Sequence, residues 1–254
     1  MTNQTVSRVA INGANGKMGQ ETQRAIYKAD GLELVACLDS GDNLADSLAE
    51  TTPDVVVDFT HPDTIRTTIR TILQAGCHAI VGTTGIHPHE VADFEPDVRD
   101  SQRSVLICPN FSIGAVLVIQ AAAKLATYLP HVEIIERHHE QKVDAPSGTA
   151  LKAASVIAAA MPSINAGIPT SQELIPGSRG GVNDTGIPIH AMRLPGHLAQ
   201  LDICFGGQGQ RVTVSHDTLD RGAFMPGVIL AIRWMMKNDP GVWYGLESIM
   251  EDLE

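Results

Sequence analysis

Polar and apolar positions along this chain change period part-way through. Between residues 8 and 110, five short apolar runs rich in β-branched side chains recur: RVAIN (8–12), ELVACLD (33–39), DVVVDFT (54–60), HAIVGTT (78–84) and SVLICPN (104–110). Continuous rather than alternating hydrophobicity predicts strands buried on both faces. Between the runs, apolar residues recur at helical spacing over 17–30, 63–75 and 87–101, with a shorter segment near 42–50. Strand and helix in alternation predict an α/β fold built on a doubly wound parallel sheet with right-handed crossovers.

Beyond Asn110 the texture differs. FSIGAVLVIQAAAKLATYLP (111–130) predicts a long apolar helix, HVEIIERHH (131–139) a strand, and 149–161 a second helix. Residues 162–189, rich in Gly, Pro, Ser and Asn, read as loop. IHAMRLPG (189–196), AQLDICFG (199–206) and QRVTVSHDT (210–218) predict strands joined by short turns, hence an antiparallel or mixed sheet. RGAFMPGVILAIRWMM (221–236) predicts a final helix that packs back on the first domain. The expected organisation is therefore a first domain of residues 1–109 plus 219–254, and an inserted mixed α/β (α+β) domain of residues 110–218. A ligand would lie in the cleft between them.

Charge narrows the partners. The net charge of −11 over 254 residues, without a basic stripe, argues against a nucleic-acid or anionic-membrane surface. Any pocket for an anion must then create its positive field locally. Cys37, Cys77, Cys108 and Cys204 form no C-x-x-C pair and read as small buried hydrophobes of a reducing compartment. Residues 1–16 lack a secretory pattern and no apolar run approaches membrane-spanning length, so a soluble cytoplasmic protein is expected.

INGANGKMG follows the first strand and opens a helix. Glycine permits the tight turn and the close backbone approach that a pyrophosphate needs at a helix N-terminus. Gly13, Asn15, Gly16, Lys17, Met18 and Gly19 are thus a candidate dinucleotide cradle of Rossmann type. The spacing is G-x-x-G-x-x-G rather than G-x-G-x-x-G, so position, not pattern, carries the reading. Asp39, twenty residues beyond Gly19, ends the second strand where a carboxylate would hold ribose hydroxyls. Ser40 follows with no arginine for a 2′-phosphate, which favours NAD (NADH). Lys17 can contact a phosphate, which keeps NADP (NADPH) open. The plain alternative is a glycine loop closing a strand on a helix.

VGTTG (81–85) and CPNFS (108–112) end the fourth and fifth strands, where such sheets line a ligand crevice. Gly82, Thr83 and Thr84 are candidates for the nicotinamide ribose. Cys108, Pro109, Asn110 and Phe111 are candidates for the nicotinamide itself, Phe111 by stacking. Turn chemistry alone also accounts for these residues.

ERHHEQKVDAPSGTA (136–150) is denser in chemistry than a connection requires. Ser147 is a plausible N-cap for a helix opened by Gly148 and Thr149, and free N–H groups there favour a carboxylate. Lys142 and the histidines add cationic or donor groups nearby, while Asp144 is better placed to orient neighbours than to touch an anion. Taken alone, adjacent histidines on a strand point to opposite faces and can be surface residues. For the same reason they do not make a zinc site, and no metal is expected.

This stretch closely resembles the signature of the bacterial dihydrodipicolinate reductases, more fully 4-hydroxy-tetrahydrodipicolinate reductases, of the diaminopimelate route to lysine. VGTTG, PNFS and SHDTLDRGAFMPG resemble the family in order and spacing, so the likeness covers nearly the whole chain. The resemblance implies a Rossmann domain with an inserted domain whose sheet builds a homotetramer. It implies NAD(P)H-dependent loss of the 4-hydroxyl from a cyclic imine dicarboxylate, with water as co-product. It further implies His138 as the acid that protonates C3 and Lys142 as the group balancing charge at the ring nitrogen. His139, Ser147, Gly148 and Thr149 would grip the carboxylates. His190 and Arg193 are expected in solvated or interface roles. Two other functions stay open: an NAD-dependent semialdehyde dehydrogenase using Cys108 as nucleophile, and a non-catalytic NAD-binding sensor.

Overall fold

The structure, a computed structural model, describes residues 6–161 and 173–250. It divides into two compact units, Met1–Ile113 with Arg221–Glu254, and Gly114–Asp220.

The first unit is a six-stranded sheet: β1 (Ser7–Asn12), β2 (Leu32–Leu38), β3 (Val55–Asp58), β4 (His78–Val81), β5 (Val105–Ile107) and β11 (Val242–Tyr244). Their order is β11-β5-β4-β3-β1-β2, and every neighbouring pair is parallel. Residues of β3, β4 and β5 are buried throughout, which explains why these runs are uninterruptedly apolar. Between the strands lie α1 (Lys17–Lys28), α2 (Leu44–Thr51), α3 (Ile65–Gln74) and α4 (Glu95–Ser101). Helix α3 shows the driving force: Ile65, Ile69, Ile72 and Leu73 share one face and are all but fully buried against the sheet. Truncating such a side chain to alanine typically costs about 2–5 kcal/mol. Helix α7 (Met225–Met235), opened by a 3-10 turn over Arg221–Phe224, precedes β11 in the chain. The sequence β1–α1–β2 lies to one side of β1 and β3–β4–β5 to the other, so the chain reverses direction across the sheet at β1. Ligands of such sheets sit at that switch point, beyond the strand C-termini.

The second unit contains α5 (Ile113–Ala126, whose first residue belongs to unit one), β6 (His131–His138), α6 (Gly148–Ala160), β7 (Gly181–Val182), β8 (Pro188–Arg193), β9 (Ala199–Gly207) and β10 (Gln210–Thr218). Its sheet runs β10-β9-β6-β8-β7. β6 is central, antiparallel to β9 and parallel to β8. Val132 and Ile134 of β6, Ile189 of β8 and Leu201, Ile203 and Phe205 of β9 join the apolar faces of α5 and α6 in one core. On the opposite sheet face Met192, Thr213 and Ser215 are exposed.

Four expectations need correction. The helix expected over 87–101 divides into a 3-10 segment, Pro88–Phe94, and α4. Pro96 has no N–H to continue the ladder and is tolerated only in a first turn. β11 and β7, three and two residues long, carry too little sequence to show a period. β7 falls in the expected loop 162–189, of which residues 162–172 lie outside the described residues. Cys37 is exposed and Cys204 half-buried, because β2 is an edge strand and Cys204 lies on the sheet face turned away from α5 and α6; all four cysteines are free.

At the opposite end of the parallel sheet from the switch point, His78 is buried, and its Nδ1 accepts a 3.1 Å hydrogen bond from the Ser104 N–H. Burial, and the Arg103 charge beside it, hold the imidazole below its ordinary pKa against the opposing pull of Asp54. The fold therefore favours neutral His78, and that stability is lost as pH falls below the unfolded value of about 6.5. Thermal melts should show a falling midpoint from about pH 6.5 downward. His78→Asn, which keeps an acceptor for Ser104 but does not titrate, should flatten the upper part of that fall.

Candidate functional site

In the first unit the glycine turn leaves β1 at Gly13, whose φ of +83° favours glycine. A Cβ there would stand 2.5 Å from the Phe59 carbonyl oxygen. A Cβ on Gly19 would stand 2.7 Å from Ala14 Cα, so this glycine lets α1 close on the turn. The N–H groups of Gly13 and Ala14 are tied to Leu38 O at 2.8 and 2.9 Å. Helix α1 begins from Gly16 without any side-chain cap. Its first-turn N–H groups thus face outward from an exposed Asn15-Gly16-Lys17 rim. Asp39 comes to the same turn: its carboxylate accepts from Asn15 N and Ser40 N, each at 2.9 Å. Those two backbone donors hold its pKa below the usual carboxylate value. A backbone cradle, an uncapped helix start and an ionised carboxylate beside them fit a dinucleotide.

The ends of β3 and β4 are knotted by a residue the sequence pattern passes over. Asp58 is fully buried, and Asn12 Nδ2 and the Thr83 and Thr60 hydroxyls donate to it at 2.8, 2.7 and 3.0 Å. Thr83 spends its hydroxyl proton there, so the side chain expected at a ribose is committed inward, while Thr84 is exposed. Phe111 is also turned inward. It is 2% exposed and packs edge-on against Phe59 at 5.8 Å between centroids, which corrects its expected stacking role. Gly82 makes room for these rings: a Cβ there would stand 2.6 Å from Phe59 Cδ1, closer still to its Cε1, and 3.0 Å from Phe111 Cε2. Asn110 caps the next turn through Ser112 N at 2.9 Å, beside an exposed Pro109.

Cys108 is fully buried and its thiol donates to Asn110 O at 3.2 Å. Burial pushes the thiol pKa up, the reverse of what a nucleophile needs. The semialdehyde dehydrogenase alternative fails on this point.

In the second unit the signature stretch folds around one carboxylate. Side chains two apart on a strand share a face, so Glu136 and His138 of β6 lie together on the side of Val132 and Ile134. Glu136 is fully buried. It receives Ser147 N at 3.0 Å, His138 Nδ1 at 2.6 Å and both terminal nitrogens of Arg193 at 2.8 Å. Burial alone would raise its pKa, but the hydrogen bonds from His138, Arg193 and Ser147 outweigh it and bring the pKa down to about 2. Arg193 also donates to Lys142 O at 3.2 Å and Asp144 O at 2.6 Å. It is therefore not the solvated or interface residue expected from sequence. His190 does keep such a place, half-exposed and paired with Glu133 at 2.9 Å.

These contacts bring most of the expected groups together. Lys142 follows a turn closed by its N–H to His139 O at 3.2 Å, and its ammonium lies 2.7 and 2.9 Å from the Asp144 oxygens. That hydrogen bond lowers the Asp144 pKa, consistent with an orienting role. Ser147 caps α6 through Ala150 N at 3.2 Å. The Gly148 and Thr149 amides then have no intrahelical acceptor, and a Cβ on Gly148 would meet nothing within 4 Å. His138 is 15% exposed and His139 half-buried. The result is an open helix tip, a lysine and an imidazole hung from one buried anion.

An all-parallel sheet with a glycine turn at its switch point, in a chain whose second unit carries a clustered imidazole and lysine, defines a Rossmann-type oxidoreductase with a pyridine nucleotide cofactor. Residues 7–111 match the family described as "Dihydrodipicolinate reductase, N-terminus", and 114–250 match "Dihydrodipicolinate reductase, C-terminus". The 4-hydroxy-tetrahydrodipicolinate reductase of Nostoc punctiforme is 41% identical, with 98% of this chain and 100% of that protein covered. The enzyme of that name from Listeria innocua serovar 6a is 41% identical over 96% and 100%. Among solved structures, the dipicolinate-bound dihydrodipicolinate reductase of Paenisporosarcina sp. TG-14 superposes with a TM-score of 0.85 at 39% identity, covering 96% of this chain and 99% of that one. An amine dehydrogenase from Mycobacterium smegmatis, at 13% identity and TM-score 0.61, shares the fold alone. This chain belongs to the dihydrodipicolinate reductase family.

Exposure and thiol pKa together set an order of reactivity. Iodoacetamide should label exposed Cys37 first and leave Cys108 unmodified in the folded protein. Mass mapping of labelled peptides checks this, and turnover should survive labelling of Cys37.

Proposed function

We propose that the protein reduces 4-hydroxy-tetrahydrodipicolinate to tetrahydrodipicolinate and water with NADH or NADPH, in the diaminopimelate route to lysine. The first unit is the dinucleotide-binding domain and the second the substrate domain. The observation that carries the reading is the Glu136 cluster, which sets His138, the α6 tip and the Lys142 loop around one point.

A reduced nicotinamide supplies the hydride that enters C4 of the conjugated imine left by loss of the 4-hydroxyl. The turn from Gly13 to Gly19 and the uncapped start of α1 hold the pyrophosphate, Asp39 the adenosine ribose, and the backbone at Gly82–Thr84 and Cys108–Asn110 the nicotinamide end. In the substrate domain, the Gly148 and Thr149 amides, with the α6 dipole behind them and His139 beside them, bind carboxylate. Ser147 acts through the cap that shapes this tip. Lys142 offsets the charge that develops toward the ring nitrogen. His138 delivers the proton to C3. An ionised Glu136 only accepts, so Nδ1 of His138 carries a hydrogen and Nε2 is the nitrogen that works on the ligand. The dipicolinate named with the Paenisporosarcina structure is the kind of planar dicarboxylate this arrangement suits.

Two finer points belong to the same reading. Asp39, ionised and set at the glycine turn, favours two free ribose hydroxyls, and the neighbouring Ser40 offers no cation for a 2′-phosphate. The face of the second sheet turned away from α5 and α6, with Met192, Thr213 and Ser215 exposed, supports assembly of four copies through that face. No helix among the described residues is long and apolar enough to cross a membrane, and four free cysteines suit the cytoplasm.

A coupled assay in which the upstream synthase makes the unstable substrate in situ tests the reaction. His138→Gln should lower kcat by about two orders of magnitude, the scale of losing a general acid, with NADH affinity little changed. A normal turnover number would contradict the assignment. NADH should serve at least as well as NADPH. A strong preference for NADPH would mean that Lys17 outweighs Asp39.

A further inference from the structure

Neither Glu136 nor Arg193 is placed to face a ligand, yet each spans more of the site than an ion pair within a sheet requires. Glu136 takes one backbone donor at the helix tip, one imidazole and a guanidinium. Arg193 reaches past the carboxylate to two carbonyls of the loop that bears Lys142. We propose that the two residues form a positioning unit for the reaction: Glu136 fixes the ring and the proton placement of His138, and Arg193 fixes the Lys142 loop. The kinetic part of this proposal rests on the catalytic reading above, whereas its geometric part does not.

The geometry follows from sheet register. In the parallel pairing of β6 with β8, Arg193 stands opposite His138 and on the same face. Leaning back two residues along β6, it meets both Glu136 oxygens in the two-pronged arrangement that a planar guanidinium matches and an ammonium does not. One further bond, from its Nη1 to Met192 O at 2.7 Å, anchors the guanidinium to its own strand. Its positive charge balances Glu136, so the imidazole is oriented by a hydrogen bond without facing an unbalanced anion. With Nδ1–H held on Glu136, Nε2 points away from the carboxylate and is the nitrogen free to exchange a proton. The same carboxylate receives Ser147 N, so one rigid group sets the distance between the acid and the amides of α6.

The test uses full-length protein labelled with ¹⁵N-histidine, the His138 signals being assigned by their loss in His138→Gln. Long-range ¹H–¹⁵N spectra above the titration of the ring should show wild-type His138 as the Nδ1–H tautomer. Glu136→Gln should give a mixture of tautomers and lower kcat by about tenfold or more, with KM moving far less. Arg193→Lys should keep the Nδ1–H tautomer and still lose turnover, because one ammonium cannot hold the carboxylate and both loop carbonyls. An Nε2–H tautomer in the wild type would overturn the proposal even if neither variant folds. So would Glu136→Gln with an unchanged tautomer and kcat within twofold of wild type. Normal kcat in His138→Gln would remove the catalytic reading and the kinetic part alone, leaving the tautomer result to decide the geometry.

Discussion

A carboxylate removed from water is costly, by several kcal/mol after relaxation, unless its lone pairs are taken up by donors and its charge is opposed. Glu136 meets both conditions on the central strand of the second sheet, where no water reaches it. A guanidinium opposes the charge, and one backbone N–H and one imidazole take the remaining lone pairs. Its pKa near 2 means that the donors win over burial across the whole working range of pH. Removing one partner from such a pair costs about 3–5 kcal/mol, because the other charge stays buried. The helix tip, the imidazole and the lysine loop are placed relative to one another through this anion.

The first unit solves a related problem with neutral donors. Asp58 ties the C-terminal ends of β1, β3 and β4 through Asn12, Thr60 and Thr83. The glycine turn leaves the same edge of the sheet, directly after β1. Both units thus build a binding edge by gathering side chains and backbone around a buried acid. They differ in what the edge must attract. The proposed dinucleotide site relies on backbone N–H groups and the helix start. The proposed substrate site adds the charge of Lys142, as an acidic chain must if it is to hold an anion.

Much of the site was legible before the structure, and the reason is locality. Gly13 and Gly19 announce themselves because a tight turn and a close helix tolerate no side chain, and Asp39 follows from the fixed length of a βαβ unit. The run from Lys142 to Thr149 is likewise read off neighbouring residues, with Ser147 as cap. Glu136 falls on the face of Val132 and Ile134, where alternation calls for an apolar residue, and nothing near it in the chain shows its partners. Arg193, 57 residues away in the chain, looked like surface. Only the register of β6 with β8 shows that the two meet. Thr83 and Phe111 follow the ends of β4 and β5, and their side chains turn inward because Asp58 and Phe59 are there to receive them.

The chain alone determined the alternation of elements, the parallel sheet, the turn at the first strand and the open start of α6. Hydrophobic period and backbone preference act over a handful of residues and need no partner to be read. The tertiary structure decided which polar groups share a buried space, and with that the ionised state of Glu136, the inward turn of Thr83 and the inertness of Cys108. Those properties depend on distances between strands remote in sequence, and no local pattern encodes them.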